Sequence, residues 1–76
     1  MDVIIIATKS CSHRSAMERE LQDLGVKYNV VYVEDDPNIV ARYAIRHSPN
    51  LIINDKVVCR SLPSEGELKT LIFKYQ

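Results

Sequence analysis

The centre of this chain is Lys9-Ser10-Cys11-Ser12-His13-Arg14, residues 9–14. The run before it, residues 3–7, is short, continuous and β-branched, which predicts a strand buried on both faces. After it, Met17, Leu21 and Leu24 recur at helical spacing and predict one apolar helix face. The sequence therefore places a cysteine where a central strand gives way to a helix.

Cys11 stands in a position that favours a reactive thiolate. The first amides of a helix have no intrahelical acceptor, and the helix dipole adds partial positive charge there. Lys9, His13 and Arg14 add further positive charge, although a cation in the first turn is unfavourable for the helix. A local rule broken in this way indicates function, so we predict a nucleophilic Cys11. The alternative is a structural cysteine, because most cysteines are buried.

The start of the first helix has two interpretations. Ser15 and Glu18 have the spacing of a capping box, which would begin the helix at Ser15 and leave Cys11 in a loop. We favour a start near Ser12, with Gly25 as the residue that ends the helix.

The next two elements are a strand and a helix. Residues 28–33 are rich in valine and tyrosine and predict a second, largely buried strand, parallel to the first after a right-handed crossover. Asp36 and Pro37 predict the N-cap and first position of a helix that ends near Arg46. Its inward stripe would be Val40, Tyr43 and Ala44, with Ile39 beside them.

The last third of the chain predicts a hairpin and a helix. Residues 51–53 and 56–59 flank Asn54-Asp55, two residues that tolerate positive φ in a tight turn. The capping box of residues 64–67 precedes an apolar helical stripe. The predicted order is βαβαββα, an α/β fold with a four-stranded mixed sheet flanked by helices.

Length and charge narrow the class of protein. Seventy-six residues predict a single domain over residues 1–76. Ten basic and ten acidic residues balance, which indicates neither a nucleic-acid partner nor a membrane surface. The apolar run at residues 3–7 is too short for a signal-peptide core and follows Asp2, so we expect a cytoplasmic protein. Two cysteines are too few for a secreted disulfide scaffold.

These features together resemble the glutaredoxins and other small thioredoxin-fold proteins. The resemblance rests on the element order, on Cys11 after the first strand, on Ser48-Pro49 before the third strand, and on the hairpin. Residues 51–58 and 62–65 are especially similar to single-domain thioredoxin-like proteins of prokaryotes. The similarity runs nearly from end to end and implies a thioredoxin-like fold.

The resemblance also implies roles for individual residues. Cys11 matches the nucleophilic cysteine, and Pro49 matches the cis-proline that lies against its sulfur. The backbone of Ser48 would then pair with a bound substrate strand. Lys9 resembles the lysine with which glutaredoxins hold the glutathione carboxylate, one residue closer to Cys11 than in that family.

Two departures from the family pattern change the expected chemistry. Arg14 stands where the second cysteine of Cys-x-x-Cys would be, which excludes dithiol chemistry at this loop. Its cation would stabilise the Cys11 thiolate, or its stem would simply cover apolar surface. Residues 60–63 lack the Gly-Gly and acidic residues of glutaredoxins, so glutathione is a candidate co-substrate and not an expected bound cofactor.

Cys59 and the histidines raise two further possibilities. Cys59 ends the fourth strand and is a candidate resolving cysteine for Cys11, although a buried strand cysteine without a redox role is the commoner case. Cys11, His13, His47 and Cys59 are ligand types that suit zinc, but their spacing is scattered and we expect no metal site.

The sequence thus favours a monothiol, glutaredoxin-like thiol–disulfide oxidoreductase. Its partners would be a disulfide-containing protein or a glutathione mixed disulfide, with an external thiol to resolve the intermediate. The main alternative is a non-catalytic thioredoxin-fold module that binds an extended peptide by strand addition. Arsenate-reductase-like chemistry also combines a lone cysteine with a nearby arginine, but this chain is short for the extra helical segment of such enzymes.

Overall fold

The computed structural model describes residues 1–75, apart from the side chain of Glu65. Strands and helices alternate along these residues in the predicted order βαβαββα, which is confirmed. The elements are β1 (Val3–Ala7), α1 (His13–Asp23), β2 (Asn29–Tyr32), α2 (Asn38–Tyr43), β3 (Asn50–Ile53), β4 (Lys56–Cys59) and α3 (Glu65–Tyr75).

The four strands form one mixed sheet in the order β2-β1-β3-β4. β1 is parallel to β2, with Ile5 opposite Val30, and antiparallel to β3, with Ile5 opposite Leu51. β4 is antiparallel to β3 and places Cys59 opposite Leu51. Since β1 is antiparallel to β3, the carboxyl end of β1 lies beside the amino end of β3. The loop after β1 and the loop that carries Pro49 therefore meet at the same end of the sheet.

β2 is an edge strand and not the largely buried strand that we expected. It pairs with β1 alone, its first residue Asn29 is exposed, and the other three residues are half-buried. Val30 packs against the core on one face of the sheet and Val31 against the core on the other. β-Branched composition is shared by edge and central strands, so it does not distinguish them.

The sheet separates two apolar cores. The core on one face, which we call the α1–α3 core, is built on buried residues of β1, β3, the two long helices and the segment between α1 and β2: Val3, Ile5, Ala7, Met17, Leu21, Val26, Leu51, Ile53, Leu68 and Ile72. The core on the other face, the α2 core, consists of Ile6, Ile39, Ile45 and Ile52. Helices on both faces explain why β1 and β3 lack polar alternation.

α1 begins at His13 after Ser12, as predicted from the start near Ser12. The Ser15–Glu18 spacing does not form a capping box, because the Ser15 hydroxyl donates to the carbonyl of Ser12 at 3.2 Å. The helix ends at Gly25, which has φ 71° and donates its N–H to a carbonyl in the last turn. Glycine adopts this left-handed conformation without the steric cost of a side chain, and its role as terminator is confirmed.

α2 is shorter than the predicted helix and differs from it at both ends. Pro37, not Asp36, is its N-cap residue, and the helix stops at Tyr43 because Ala44 is left-handed with φ 53°. The predicted end near Arg46 is therefore wrong. Ile39 is the buried side chain of this helix, with Ile45 beyond its end. Val40 and Tyr43 are half-buried against the α2 core, as predicted, whereas Ala44 is exposed.

The hairpin and the last helix follow the sequence pattern closely. Asn54 and Asp55 both have positive φ, 51° and 68°, as a two-residue turn of this kind requires. Ser64 accepts the N–H of Glu67 at 3.3 Å, which provides half of the predicted capping box. None of the helices described in residues 1–75 combines the length and the hydropathy needed to cross a bilayer.

Candidate functional site

Cys11 lies in the turn between β1 and α1, one residue before the N-cap. Its N–H donates to the carbonyl of Thr8 at 3.1 Å, which closes the turn. The residue is half-buried and packs at the margin of the α1–α3 core. The N-cap residue Ser12 makes no side-chain hydrogen bond to the helix, and the first turn of α1 contains no acidic residue. Cys11 is thus partly exposed beside a helix start that no side chain caps.

The loop before β3 lies against the Cys11 turn. The Ser48–Pro49 peptide bond is cis, and Pro49 is fully buried. The hydroxyl of Ser48 accepts the N–H of Thr8 at 3.2 Å, and the carbonyl of Thr8 accepts the N–H of Cys11. These two hydrogen bonds connect Cys11 to Ser48 through one residue. Among residues 1–75 the backbone N–H and C=O of Ser48 have no partner.

Asn50 fixes the other end of this loop, and the sequence did not single it out. It is fully buried, and its side-chain amide donates to the carbonyls of Ile6 and His47. The amide therefore joins β1 to the residue that precedes Ser48. An asparagine at the start of an otherwise apolar strand was the available signal, because a buried polar side chain needs partners.

Lys9 is held by the loop that follows β2. Its Nζ lies 3.0 Å from Oδ1 of Asp35, and its backbone N–H donates to both carboxylate oxygens of Glu34, at 2.9 and 3.1 Å. The hydrogen bond that Lys9 donates to Asp35, followed by the charge of that carboxylate, raises the pKa of Lys9. Lys9 thus lies at the site, but its positive charge is paired with the acidic loop of Glu34 and Asp35, which is distant in sequence.

Arg14 is also paired. Its guanidinium forms an ion pair with Glu18 one turn along α1 and lies 5.6 Å from the centre of the Tyr32 ring. Glu18 accepts a second hydrogen bond, at 3.0 Å, from the hydroxyl of Tyr28. The arginine and glutamate side chains are only 26% and 22% exposed, so the pair is better shielded from solvent than a surface ion pair. The position of the missing second cysteine is therefore filled by an ordered cation.

The two histidines of the site region differ from these lysine and arginine residues. His13 is the first residue of α1, and His47 precedes Ser48; both are exposed, and neither imidazole has a partner among the described residues. Within residues 1–75, no three His, Cys, Asp or Glu side chains are grouped as metal ligands would be.

Cys59 lies on the same face of the sheet as Ile5 and Leu51 and contacts the α1–α3 core, as Cys11 does. Both thiols are free. Burial, followed by the charge of Glu67, raises the pKa of Cys59, which disfavours its thiolate. β3 lies between β4 and β1, a separation of roughly 10 Å between the outer two strands. Cys59 is half-buried, as Cys11 is, but the strand separation and the raised pKa favour a packing role for Cys59 over a resolving one.

A family model for the thioredoxin domain matches residues 1–73. The chain belongs to the thioredoxin-domain family. This family is of the thiol–disulfide oxidoreductase type, and the thioredoxin-like fold predicted from the sequence is confirmed. A comparison with curated protein sequences gives no significant match.

Solved structures with the thioredoxin fold superpose along most of the chain. A mutant of a thioredoxin-like protein is 19% identical, with a TM-score of 0.74 over 92% of this chain and 99% of the other. Thioredoxin 1 from the thermophilic eubacterium Thermosipho africanus is 18% identical, with a TM-score of 0.69 over 99% and 93% of the two chains. Fasciola hepatica thioredoxin is 20% identical, with a TM-score of 0.68 over 99% and 82%. At these identities the likeness shows the fold alone.

This thioredoxin domain brings most of the predicted site residues to one end of its sheet, where β1 ends and β3 begins. Cys11, Ser48 and Pro49 lie in two hydrogen-bonded loops, and Lys9 and Arg14 flank them on the side of β2. The counter-ions of these cations were missed. Glu18 could have been found from its i,i+4 spacing to Arg14, whereas the contact of Asp35 with Lys9 depends on the tertiary fold.

Proposed function

We propose that this protein is a glutaredoxin-like thiol–disulfide oxidoreductase that uses Cys11 as its single nucleophile. The observation that carries the proposal is the hydrogen bond between Ser48 Oγ and the Thr8 N–H. It places the Cys11 turn beside a residue whose backbone donor and acceptor are both unpaired. An extended substrate can therefore pair with the backbone of Ser48 while its disulfide approaches the Cys11 sulfur.

The chemistry proceeds by two thiol–disulfide exchanges. The Cys11 thiolate attacks the glutathione sulfur of a mixed disulfide, forms a Cys11–glutathione disulfide and releases the other thiolate. A second glutathione thiolate then attacks this intermediate, forms oxidised glutathione and regenerates the Cys11 thiolate. A protein disulfide requires three exchanges: Cys11 forms a mixed disulfide with one substrate sulfur, one external thiolate attacks the Cys11 sulfur and releases the reduced protein, and a second external thiolate attacks the first one's sulfur, forms their disulfide and regenerates the Cys11 thiolate. No second cysteine is needed at position 14.

Arg14 and His13 are the side chains that we assign to Cys11 in this mechanism. Arg14 occupies the first turn of α1, where a cation favours the thiolate both as attacking group and as leaving group. The ion pair with Glu18 fixes the position of the Arg14 guanidinium and offsets part of its positive charge. His13 is exposed at the helix start and supplies a further donor. Lys9, paired with Asp35, would contribute to substrate binding.

Co-substrate and location are part of the same proposal. A monothiol enzyme needs an external reductant, for which glutathione is our candidate, and it binds no cofactor or metal. Both cysteines are free, as is usual for proteins of a reducing compartment, and we assign the protein to the cytoplasm. Its partners are protein disulfides or glutathione mixed disulfides and do not include nucleic acids or membranes.

The experiment is a coupled assay with a peptide–glutathione mixed disulfide and reduced glutathione. The wild-type chain and a Cys59→Ser variant should turn the substrate over, whereas Cys11→Ser should not. The two variants make the same chemical change at the two cysteines and so control for loss of a thiol. Equal rates for wild type and Cys11→Ser would overturn the proposal, as would a wild type without turnover.

A second candidate is a non-catalytic peptide-binding module. It is favoured by the pairing of Lys9 with Asp35 and of Arg14 with Glu18, because paired cations stabilise a thiolate less than free ones. The unpaired backbone of Ser48 serves strand addition equally well. Saturable binding of an extended, cysteine-free peptide without any turnover of the mixed disulfide would support this function over the first.

A further inference from the structure

Arg60 connects the end of β4 to the end of α2. It follows Cys59, which lies opposite Leu51 in the sheet, and Leu51 is two residues after Pro49. Arg60 therefore lies at the same end of the sheet as the loop of Ser48 and Pro49. Its Nη1 donates to the carbonyl of Ala44 at 3.0 Å and to that of Tyr43 at 3.4 Å. The side chain thus bridges two elements that are not neighbours in the sequence.

The two carbonyls belong to a helix end that has few other partners. The last carbonyls of a helix lack intrahelical donors, and a cation there also complements the helix dipole. Ala44 is left-handed with φ 53°, a conformation that costs a residue with a side chain about 1–2 kcal/mol. The guanidinium of Arg60 satisfies the acceptors that this turn exposes, and it supports the conformation in which α2 stops at Tyr43.

The segment that follows is the loop of the site. Residues 45–48 are all that separates Ala44 from Pro49. The far end of this segment is fixed, because Ser48 accepts the Thr8 N–H and Asn50 donates to the carbonyl of His47. Its near end is held by Arg60, which donates to the carbonyl of Ala44, and by Ile45, whose side chain is buried in the α2 core. A loop of this length, fixed at both ends, has little freedom to move the Ser48 backbone.

We propose that Arg60 is a positioning residue for the substrate strand. By anchoring Ala44 it keeps the backbone of Ser48 aligned with Cys11, without contact to the reacting sulfur. This inference rests on the proposed function, in that it names a further residue on which the same site depends. It assigns Arg60 to substrate alignment and not to thiol activation.

The test compares kcat and KM for the mixed disulfide in wild type, Arg60→Ala, Arg60→Lys and Arg42→Ala. Arg60→Ala should lower kcat/KM about three- to tenfold through KM, the size expected for one hydrogen bond. Arg60→Lys should restore part of the loss, because an ammonium still donates to a carbonyl. Arg42→Ala is the matched control, since Arg42 is an arginine on α2 itself but pairs with Asp55 at the surface. It should behave as wild type.

Two further measurements distinguish alignment from other effects. The alkylation rate of Cys11 by a small reagent should be the same in Arg60→Ala and wild type, since such a reagent needs no aligned strand. In a Cys11→Ser background, Arg60→Ala should weaken the binding of the reduced substrate peptide by a similar factor. Unchanged KM and unchanged peptide affinity in Arg60→Ala would overturn the inference. A wild type that binds the peptide without turnover would overturn the proposed function and leave the binding test of Arg60 in force.

Discussion

Replacing Ser48 with alanine removes the side chain that joins the two loops of the site. Its hydroxyl accepts the N–H of Thr8 at 3.2 Å, across forty residues of sequence, in a partly buried position. In Ser48→Ala the Thr8 N–H loses its acceptor. Because the position is partly buried, water replaces the lost hydrogen bond only in part. We expect a loss of about 1 kcal/mol in the free energy of unfolding. For a domain of this size that corresponds to a fall in Tm of about 4–8 °C.

The effect on activity should exceed the effect on stability. The carbonyl of Thr8 accepts the N–H of Cys11, so Thr8 connects Ser48 to the nucleophile. Loss of the Ser48 contact therefore loosens the position of Cys11 relative to the substrate strand. Misplacement of a reacting group by about 1 Å is worth up to about 100-fold in rate. We expect kcat/KM to fall about tenfold or more under conditions where the variant is fully folded.

Ser64→Ala is the control with a similar cost in stability. Ser64 accepts the N–H of Glu67 at 3.3 Å at the start of α3, and the loss of such an N-cap typically costs about 1 kcal/mol. Its hydroxyl contacts neither loop of the site. Urea unfolding followed by circular dichroism gives the stabilities, and the mixed-disulfide assay gives kcat/KM. If both variants lose the same stability and the same activity, the Ser48 bond has no role beyond the fold and our reasoning is refuted.

Three further results are expected. Gly25→Ala should destabilise by about 1 kcal/mol because φ is 71° there, whereas Gly66→Ala, in the open first turn of α3, should stabilise by about 0.5–1 kcal/mol; urea unfolding of both variants checks the opposite signs. In a Cys11→Ser background at pH 8, iodoacetamide should label Cys59 more slowly in the folded chain than in urea, because burial raises its pKa, and equal rates would contradict this. Burial also raises the pKa of the Tyr28 hydroxyl above 10.0 in the folded chain, so the contribution of Tyr28 to stability is complete below pH 10.0 and is lost as the pH rises through the folded-state pKa. Tyr28→Phe should therefore lose less stability than wild type at alkaline pH. Parallel curves of unfolding free energy against pH for the two proteins would contradict this.

Where the sequence predicted the structure well, the deciding interaction is local. Gly25 ends α1 and Asn54-Asp55 forms the hairpin because positive φ is a property of one or two residues. The continuous apolar run of β1 predicts burial on both faces, since no register of that strand offers a polar side. The apolar stripe from Met17 onward fits either start of α1; the helix has the earlier one, and the Ser15 hydroxyl donates to the Ser12 carbonyl instead of capping a helix that begins at Ser15.

Where the sequence failed, the deciding contact is distant. The early end of α2 depends on a left-handed Ala44 whose carbonyl accepts from Arg60, sixteen residues away, so the rule that a helix ends before the residue preceding a proline extends this helix too far. The edge position of β2 depends on the order in which strands join the sheet, which composition does not encode. The Lys9–Asp35 pair likewise requires the loop after β2 to fold back onto the Cys11 turn.

The electrostatics of Cys11 change most when these contacts are included. Counting charges along the sequence places three cations within a few residues of the sulfur, yet Lys9 is paired with Asp35 and Arg14 with Glu18. Among the described residues, the groups that remain uncompensated are the side chain of His13 and the first amides of α1, because Ser12 provides no side-chain cap and the first turn contains no acid. A capping hydroxyl or carboxylate would occupy the donors that an anionic sulfur at position 11 can use. In the proposed mechanism the uncapped helix start therefore offers donors to the sulfur in addition to Arg14, whose position is fixed by Glu18.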